Sequence, residues 1–235
     1  LDIKLVNNEN DGLKAPFQFG KVLETGKLDT KLLFNSYANW LEKENKLYND
    51  TFDYRQLQIE QSAISYQDVK AKNIVFTEGY GMMKNPYFNH LPMQGSKGEY
   101  IVIKAKELKE TQIIKSSIFL IPLGDDLYKV GATYNRNQKD NSTTLEAKNE
   151  LINKLQSLLD CSYEIVGHEA GMRPTVKDRR PLVGKHAKYN NLWLLNGFGS
   201  HGITIAPWAA KSLYEHIEMQ IPILEEMNIA RFATN

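Results

Sequence analysis

A glycine-rich turn between an apolar strand and a long helix constrains the fold of this chain more than any other feature. Residues 191–196 (NLWLLN) are typical of a buried strand, residues 197–202 (GFGSHG) fit the pattern GxGxxG, and residues 203–219 have helical apolar spacing. This order of elements is typical of the nucleotide-binding edge of an open α/β sheet. Glycines let a backbone approach a ligand closely, and free N–H groups at a helix start favour negative charge.

Two interpretations of this turn stay open on these residues. The dinucleotide fingerprint opens a βαβ unit and has an acidic residue about 20 positions on, which binds the ribose. Here the helix is followed by residues 220–235, which show no second strand pattern. The turn is therefore either a pyrophosphate loop outside its usual context or a glycine-rich strand-to-helix turn without a ligand.

The rest of the chain predicts an α/β region beside a mostly antiparallel sheet. Apolar spacing predicts a helix over residues 30–46, and the run 73–77 (NIVFT), closed by Glu78 and Gly79, predicts a short buried strand. From residue 86 the pattern changes to antiparallel strands, followed by a helix and another strand. These later elements are expected at residues 99–104, 117–123, 127–133, 144–159 and 163–167.

Composition and charge argue against several classes of function. The 235 residues carry 29 basic and 28 acidic side chains, a net charge of +1, without the basic cluster of a nucleic-acid interface. The apolar runs are far shorter than the roughly 20 residues of a spanning helix, and no secretory signal pattern is present. The five histidines lack zinc-ligand spacing, and the single cysteine, Cys161, is expected to be a buried apolar side chain. The sequence thus predicts a cytoplasmic protein without a nucleic-acid partner, a membrane span or a metal site.

The segment 171–184 (GMRPTVKDRRPLVG) concentrates three arginines, two prolines and an aspartate. Prolines restrict the backbone, and a guanidinium binds a carboxylate through two parallel hydrogen bonds. The segment is expected to form a loop. It predicts either a site for a carboxylate ligand or a set of structural salt bridges.

Four motifs follow one another along the chain in an informative order. AKNIVFTEGYG contains a strand that ends at Thr77-Glu78-Gly79, and LPMQGSKGEYIVI has a Pro-x-x-Gly entry into a further strand. FLIPLGDDLYKVGATY forms a hairpin pattern, and GMRPTVKDRRPLVGKH precedes NLWLLNGFGSHGITIAPWAAKSL. Together they resemble the C-terminal portion of the D-amino-acid oxidase-like flavoproteins, the family that includes glycine oxidase and sarcosine oxidase. The last stretch is the most specific of the four, and Glu78 departs from the family pattern.

The resemblance implies an FAD cofactor and assigns roles to residues of this chain. Arg173 matches the arginine that binds the substrate carboxylate in glycine oxidase-like members. Lys129 matches a lysine that faces the flavin in sarcosine oxidase-like members. The 197–202 turn matches backbone that contacts the flavin ring, so the GxGxxG pattern is better explained as a flavin cradle than as a pyrophosphate loop. The implied cofactor-binding residues are Thr77, Gly79, Gly197, Phe198, Gly199, Ser200, His201, Gly202 and Ile203.

The resemblance also implies a fold class, which is α/β with an α+β substrate domain. An incomplete FAD-binding layer would lie beside a mostly antiparallel sheet domain, and we expect residues 73–77 and 192–196 to share one sheet. The family's N-terminal GxGxxG segment, which binds the FAD pyrophosphate, has no match before Leu1. The expected divisions are residues 1–19 (tail of the substrate domain), 20–85 (part of the FAD-binding domain), 86–170 (substrate domain) and 171–235 (C-terminal part of the FAD-binding domain).

The implied activity is FAD-dependent oxidation of a small amino acid or secondary amine by hydride transfer to the flavin, in the complete protein. Two other interpretations stay open. One is a non-catalytic fragment or binding domain of such a flavoprotein. The other is a tRNA-modifying oxidoreductase domain, because one domain of this family removes a carboxymethyl group from a tRNA base; the near-neutral charge speaks against it. The sequence does not specify the substrate, the electron acceptor or the oligomeric state.

Overall fold

A computed structural model describes residues 2–233 of the chain. The strands are β1 (Ile3–Val6), β2 (Phe19–Val22), β3 (Gln58–Ile59), β4 (Ile64–Tyr66), β5 (Val69–Ala71), β6 (Ile74–Phe76), β7 (Ser96–Lys104), β8 (Ile114–Lys115), β9 (Phe119–Gly124), β10 (Leu127–Gly131), β11 (Glu164–Arg173), β12 (Leu182–Lys185) and β13 (Leu192–Asn196). The α-helices are α1 (Thr30–Lys43), α2 (Leu145–Gln156) and α3 (Gly202–Met219), and short 3₁₀ helices lie at Tyr54–Gln56, Gly79–Lys84 and Ile229–Phe232. Within residues 2–233, no helix combines the length and apolar character needed to cross a membrane.

The largest sheet is antiparallel and has the strand order β11-β7-β10-β9-β8. On one of its faces, Ile101 and Ile103 of β7 form a single buried cluster with Leu151 and Leu155 of α2. Side chains alternate between the two faces along a strand, so the even-numbered residues of β7 project from the opposite face. We call this opposite face, defined by residues 96, 98, 100 and 102, the far face of the sheet.

A buried ionic cluster joins β7 to the start of α2. The Lys97 side chain is 1% exposed, and its Nζ lies 2.8 Å from Asp140 Oδ1 and 3.7 Å from Glu99 Oε1. Glu99, 2% exposed, accepts hydrogen bonds from the backbone N–H and the hydroxyl of Thr144, the N-cap of α2. His168 Nε2 lies 2.9 Å from Glu99 Oε2 but outside hydrogen-bonding geometry. Lys97 and Glu99 are thus buried as a pair, which offsets part of the cost of desolvating each charge.

We expect Asp140→Asn to make folding less sensitive to acid. The hydrogen bond from Lys97, followed by those from Ser142, lowers the pKa of Asp140 from 3.8 to about 2. A carboxyl with a lowered folded-state pKa stabilises the fold above its unfolded-state pKa, and this contribution is lost as the pH falls through the folded-state value. Urea unfolding at a series of pH values from about 5 to about 2 should therefore show a shallower decline for Asp140→Asn than for wild type. Asp125→Asn, in the exposed turn after β9, is the control; equal declines in both variants would contradict the prediction.

A second sheet brings two distant parts of the chain together in the order β12-β13-β6. Strands β13 and β6 are parallel, with Leu192 opposite Ile74, which confirms the expectation that their apolar runs share one sheet. Trp193 of β13 lies in one buried cluster with Ala209 and Leu213 of α3. The carboxyl ends of β6 and β13 therefore lie side by side, at the kind of edge where ligands bind in open α/β sheets.

The prediction that a loop begins at residue 171 was wrong, because residues 171–173 belong to a strand. Strand β11, expected at residues 163–167, continues to Arg173, and residues 171–173 pair with Gly98, Lys97 and Ser96 of β7. The pairing satisfies the backbone hydrogen bonds of this glycine- and arginine-containing stretch, so it remains extended. Arg173 is consequently fixed at the end of a strand of the large sheet.

Helix α1 forms as its sequence pattern predicts, but most of its apolar side chains are exposed in the part of the chain that the structure describes. Its N-cap Asp29 accepts a hydrogen bond from the backbone N–H of Leu32, and the helix ends at Lys43, shortly before Asn45 takes a positive φ of 53°. No α1 side chain is buried within residues 2–233. The exposed apolar residues of α1 are Leu32, Leu33, Phe34, Tyr37 and Trp40.

The architecture combines α/β elements with a mostly antiparallel sheet, which confirms the predicted fold class. The proposed domain boundaries stay a prediction.

Candidate functional site

Asn196 joins the carboxyl ends of the two parallel strands. It is the last residue of β13 and is 2% exposed. Its Nδ2 donates to the carbonyl of Gly79 at 2.9 Å, and its Oδ1 accepts from the backbone N–H of Gly197 at 2.8 Å. Two of the predicted cofactor-binding residues, Gly79 and Gly197, are therefore held next to each other, and Thr77 lies exposed after β6.

Glu78, the departure from the family pattern, has its own hydrogen-bonding partners. Its carboxylate accepts a hydrogen bond from the Tyr54 hydroxyl and another from Asn85 Nδ2 at 2.8 Å. Partial burial, followed by the hydrogen bond to Glu78, raises the pKa of Tyr54, which keeps its hydroxyl protonated as a donor. The Glu78 side chain is thus held by Tyr54 and Asn85. The space around the Cα of Gly79 remains open.

The glycines of the turn have different surroundings. Gly197 (φ 80°) is buried, and a Cβ there would lie 2.7 Å from Val176 Cγ2, so packing requires glycine at this position. Gly79 (φ 56°) would meet no atom within 4 Å, and the nearest atom to a Cβ on Gly199 (φ 57°) is Thr175 Oγ1 at 4.0 Å. The backbone at Gly79 and Gly199 is therefore open to a ligand.

The remainder of the turn offers mostly backbone to a ligand. Phe198 packs against the buried cluster beneath β13, so its backbone is the part available to a ligand. Ser200, His201 and Ile203 are exposed. Helix α3 begins at Gly202, and its N-cap His201 makes no side-chain capping hydrogen bond. The first N–H groups of a helix lack intrahelical acceptors and carry partial positive charge, so this end of α3 favours an anionic group.

Arg173 lies next to this turn and is held on three sides. The carbonyl of the following residue, Pro174, accepts a hydrogen bond from the backbone N–H of Gly199 at 3.1 Å, which ties the end of β11 to the turn. The guanidinium lies directly over Gly98, where a Cβ would overlap its nitrogen atoms. Its Nη1 donates to the carbonyl of Thr133 at 3.3 Å, and its Cζ stacks 4.1 Å from the centre of the Tyr134 ring. The sequence predicted Arg173 as a site residue but did not identify Gly98 or Tyr134.

Lys129 occupies the same face of the large sheet as Arg173. Lys129 lies opposite Val102 of β7, and Arg173 lies opposite Ser96. Directly opposite residues of antiparallel strands share a face, and positions 96 and 102 of β7 are an even number of residues apart. Both predicted catalytic side chains therefore project from the far face. Tyr100 and Glu169, also on this face, were not identified from the sequence; the period-two alternation of β7 and β11 could have indicated them once the register was known.

The other candidates from the sequence have structural partners. Arg231 contacts Asp178 at 3.0 Å and Arg180 Nη1 lies 3.8 Å from Glu226, so segment 171–184 does contain salt bridges. Cys161, expected to be buried, is half-buried and packs against the core, and this burial raises the pKa of its thiol. No group of three or more potential metal ligands occurs in residues 2–233.

We expect Gly98→Ala to displace the Arg173 guanidinium without unfolding the protein. The new Cβ would overlap only the far end of a flexible side chain, so the free energy of unfolding should fall by less than about 1 kcal/mol. The Arg173 Nε–H signal in a ¹⁵N NMR spectrum should shift as the hydrogen bond to Thr133 is lost. The matched control is Gly171→Ala on the neighbouring strand, where a Cβ would meet nothing within 4 Å. Similar signals for Arg173 in both variants would show that Gly98 does not determine its position.

Known proteins resemble this chain over most of its length. The profile of the family described as FAD dependent oxidoreductase matches residues 22–216. A glycine oxidase of Pseudomonas aeruginosa is 25% identical over 168 residues, which cover 69% of this chain and 46% of that protein. The bifunctional protein MnmC of Shewanella sediminis, named for tRNA 5-methylaminomethyl-2-thiouridine biosynthesis, is 25% identical over 202 residues, covering 68% of this chain and 28% of that protein. The crystal structure of iminodiacetate oxidase from Chelativorans sp. BNC1 has a TM-score of 0.71 at 21% identity and covers 86% of this chain and 58% of that one.

These matches differ in what they establish. The chain spans less than half the length of the two curated relatives. The likeness to the iminodiacetate oxidase structure, at 21% identity, shows the fold alone. The family profile covers most of the chain, from the end of β2 into α3, and includes the large antiparallel sheet, the β12-β13-β6 sheet, the turn and Arg173. The chain therefore belongs to the family of FAD-dependent oxidoreductases.

Proposed function

We propose that the complete protein oxidises a small amino acid or secondary amine, with hydride transfer to FAD. The observation that supports this proposal is that the Arg173 guanidinium is held in place but has no acidic partner in the part of the chain that the structure describes. Within residues 2–233 its guanidinium forms no ion pair, although it is fixed by Thr133 and Tyr134. A pre-positioned guanidinium with unused donors is suited to a ligand carboxylate, which it would bind in a two-pronged geometry. In contrast, Arg180 and Arg231 of the same region already have acidic partners.

The residues around the turn fit a flavin ring. Gly79 and Gly199 leave open backbone surface, and the uncapped start of α3 at Gly202 and Ile203 presents N–H groups. One end of the flavin ring becomes anionic on reduction, and a helix N-terminus stabilises negative charge at that end. We propose that Thr77, Gly79 and residues 197–203 hold the ring, with Phe198 contributing only backbone and Ser200 and His201 at the exposed side.

The reaction divides the chemistry between cofactor and protein. When bound, the flavin supplies the acceptor for the hydride that leaves the substrate's α carbon, and water hydrolyses the resulting imine. Arg173 would hold the substrate carboxylate so that the α C–H bond points towards the flavin, which replaces a bimolecular encounter by a fixed orientation. Lys129, on the same face, would place a second positive charge near the flavin.

Anaerobic flavin bleaching in the complete protein tests this function. Glycine, N-methylglycine and iminodiacetate would each be mixed with the oxidised protein, and loss of the flavin absorbance band would report substrate oxidation. We expect at least one of these amino acids to bleach the flavin, and the matching amines without a carboxylate to do so far more slowly. If no carboxylate-bearing amine reduces the flavin, the proposed substrate class is wrong.

A modified tRNA base is a second candidate substrate, because one of the matching relatives is named for tRNA biosynthesis. The net charge of +1 gives this chain little attraction for a phosphate backbone. The same bleaching assay with unfractionated bacterial tRNA distinguishes the two substrates. Bleaching by tRNA and not by free amino acids would favour the tRNA base.

We expect this chain by itself to bind FAD weakly or not at all. The proposed contacts reach the flavin ring, whereas the family fingerprint for the pyrophosphate and ribose does not occur in these 235 residues. Fluorescence titration of FAD with the purified chain should therefore give a Kd above about 1 μM. Sub-micromolar binding would contradict the prediction, and it would show that the turn and the far face are sufficient for the cofactor.

A further inference from the structure

Three neighbouring strands place a lysine, a tyrosine and a glutamate in a row across the far face. Tyr100 of β7 is directly opposite Glu169 of β11, and Lys129 of β10 is opposite Val102, one pleat further along. Lys129 Nζ lies 3.9 Å from the centre of the Tyr100 ring. The Tyr100 hydroxyl donates a hydrogen bond to the Glu169 carboxylate. The ring is therefore bound on its face by the ammonium and at its hydroxyl by the carboxylate.

The space for this arrangement is provided by a glycine. Gly131 lies opposite Tyr100 on β10, and a Cβ on Gly131 would lie 2.9 Å from Tyr100 Cβ and 2.9 Å from Phe119 Cζ. A side chain at this position would push against both aromatic residues. Gly131 thus leaves room for the side chains of Tyr100 and Phe119.

Tyr100 provides an aromatic contact to the Lys129 ammonium. Lys129 is half-buried, and within residues 2–233 its ammonium forms no ion pair. The negative face of an aromatic ring attracts a cation, and the attraction increases as water is removed. Burial, the largest cause, and the hydrogen bond to Glu169 raise the pKa of Tyr100 to about 12. The hydroxyl therefore stays protonated at neutral pH and keeps the ring anchored to Glu169.

The row of side chains lies next to Arg173, for which we proposed carboxylate binding. Arg173 lies over Gly98, and Tyr100 is the next residue of β7 on the same face, about 7 Å along the strand. The Lys129 ammonium, against the Tyr100 ring, and the Arg173 guanidinium, over Gly98, are therefore two positive charges on the same face of the sheet.

We propose that Tyr100 and Glu169 are positioning residues that hold the Lys129 ammonium over the far face, beside Arg173. The arrangement of the lysine stands on this geometry, whereas its effect on catalysis rests on the function proposed above. In that reaction, Arg173 binds the substrate and Lys129 acts near the flavin. Loss of the Tyr100 ring should therefore lower kcat and leave KM for an amino acid almost unchanged.

The position of the lysine can be measured without cofactor or activity. Lysines of this chain would be ¹³C-methylated, and the Lys129 signal would be identified by its loss in Lys129→Arg. A group above an aromatic ring is shielded, so we expect the Lys129 signal upfield of those of exposed lysines. Tyr100→Leu should return it to the exposed position. Tyr100→Phe and Glu169→Ala both remove the hydroxyl–carboxylate anchor but keep a ring, so they should give equal, intermediate shifts that do not add in the double variant.

Tyr214→Leu, an exposed tyrosine on α3, is the matched control and should not move the Lys129 signal. The proposal is overturned if the wild-type signal coincides with those of exposed lysines, or if Tyr100→Phe and Glu169→Ala leave it unmoved. Tyr100→Phe keeps the aromatic ring, and Glu169→Ala changes an exposed residue, so both variants are expected to fold. They therefore test the proposal even if Tyr100→Leu does not fold.

A kinetic comparison in the complete, FAD-loaded protein then separates the two proposals. We expect Tyr100→Leu to lower kcat about tenfold with KM within about twofold of wild type, and Tyr100→Phe to recover most of kcat. If the NMR shifts follow the prediction while no amino acid is oxidised, the positioning stands and the proposed function fails. If amino acids are oxidised and the two anchor variants leave the lysine signal unmoved, the positioning fails alone.

Discussion

We expect replacement of Arg173 by alanine in the complete protein to lower kcat/KM for an amino-acid substrate by a factor corresponding to about 2 to 5 kcal/mol of transition-state stabilisation. This is the range for removing one partner of a desolvated, hydrogen-bonded charge pair. The structure holds the guanidinium between Gly98 and Tyr134 with its remaining donors unpaired by acidic groups of residues 2–233. Arg173→Lys keeps the charge but loses the two-pronged geometry, so it should also reduce affinity. Steady-state kinetics with purified variants provides the measurement.

Two controls distinguish carboxylate binding from a structural role of Arg173. An amine that matches the substrate but lacks its carboxylate should react at similar rates with wild type and Arg173→Ala. Arg179→Ala changes an exposed arginine of the same segment and should behave like wild type with both substrates. If Arg173→Ala unfolds the protein, or slows both substrates equally, the arginine is structural and the carboxylate role is wrong.

Lys97→Met should decrease the free energy of unfolding by about 3 to 5 kcal/mol, because it leaves Glu99 without its cation in a buried site. The methionine has a similar length but cannot pair with Glu99 or Asp140. Urea unfolding followed by circular dichroism would measure the change. Lys104→Met, an exposed lysine of the same strand, is the matched control and should remain within about 0.5 kcal/mol of wild type. A decrease below about 1 kcal/mol for Lys97→Met would mean that the pair contributes little beyond the cost of its burial.

The part of the fold that we propose to hold the cofactor could be predicted from local sequence patterns. Both strands of the parallel pair are short apolar runs that end at a glycine, and the helix after the turn has clear apolar spacing. Such continuous apolar runs are typical of buried strands in an α/β sheet, and this prediction does not depend on the register of the strands. For this reason β6 and β13 were predictable as strands, whereas β12, which pairs with β13, was not predicted.

The far face, where we propose that the substrate binds, could be predicted only in part, because the long-range register of the strands determines it. Glycine, proline and clustered arginines at residues 171–180 are typical of a loop, yet pairing with β7 keeps the chain extended as far as Arg173. No local pattern shows that Arg173, Lys129, Tyr100 and Glu169 share a face, since this follows from the alignment of three strands distant in sequence. The resemblance supplied the first two residues and the register supplied the others.

Helix α1 shows a different limit of sequence patterns. Its apolar spacing predicted a helix correctly, but spacing does not specify which surface covers the apolar side chains. In residues 2–233 those side chains remain exposed. Local propensity and the N-cap Asp29 thus account for the existence of α1, and packing does not.

The parallel pairing of β6 with β13 also determines when the proposed cofactor edge can assemble during folding. Ile74 pairs with Leu192, and the entire antiparallel sheet lies between them in the sequence. Closing so long a segment is entropically costly, whereas β9 and β10 are joined by a tight hairpin that forms from nearby residues. During synthesis on the ribosome, β6 emerges long before β13. The edge of β6 that pairs with β13 therefore stays unpaired until β13 has been made. The large sheet therefore has the opportunity to fold first and bring the two strands together, so that the turn between β13 and α3 is among the last parts of the molecule to become ordered.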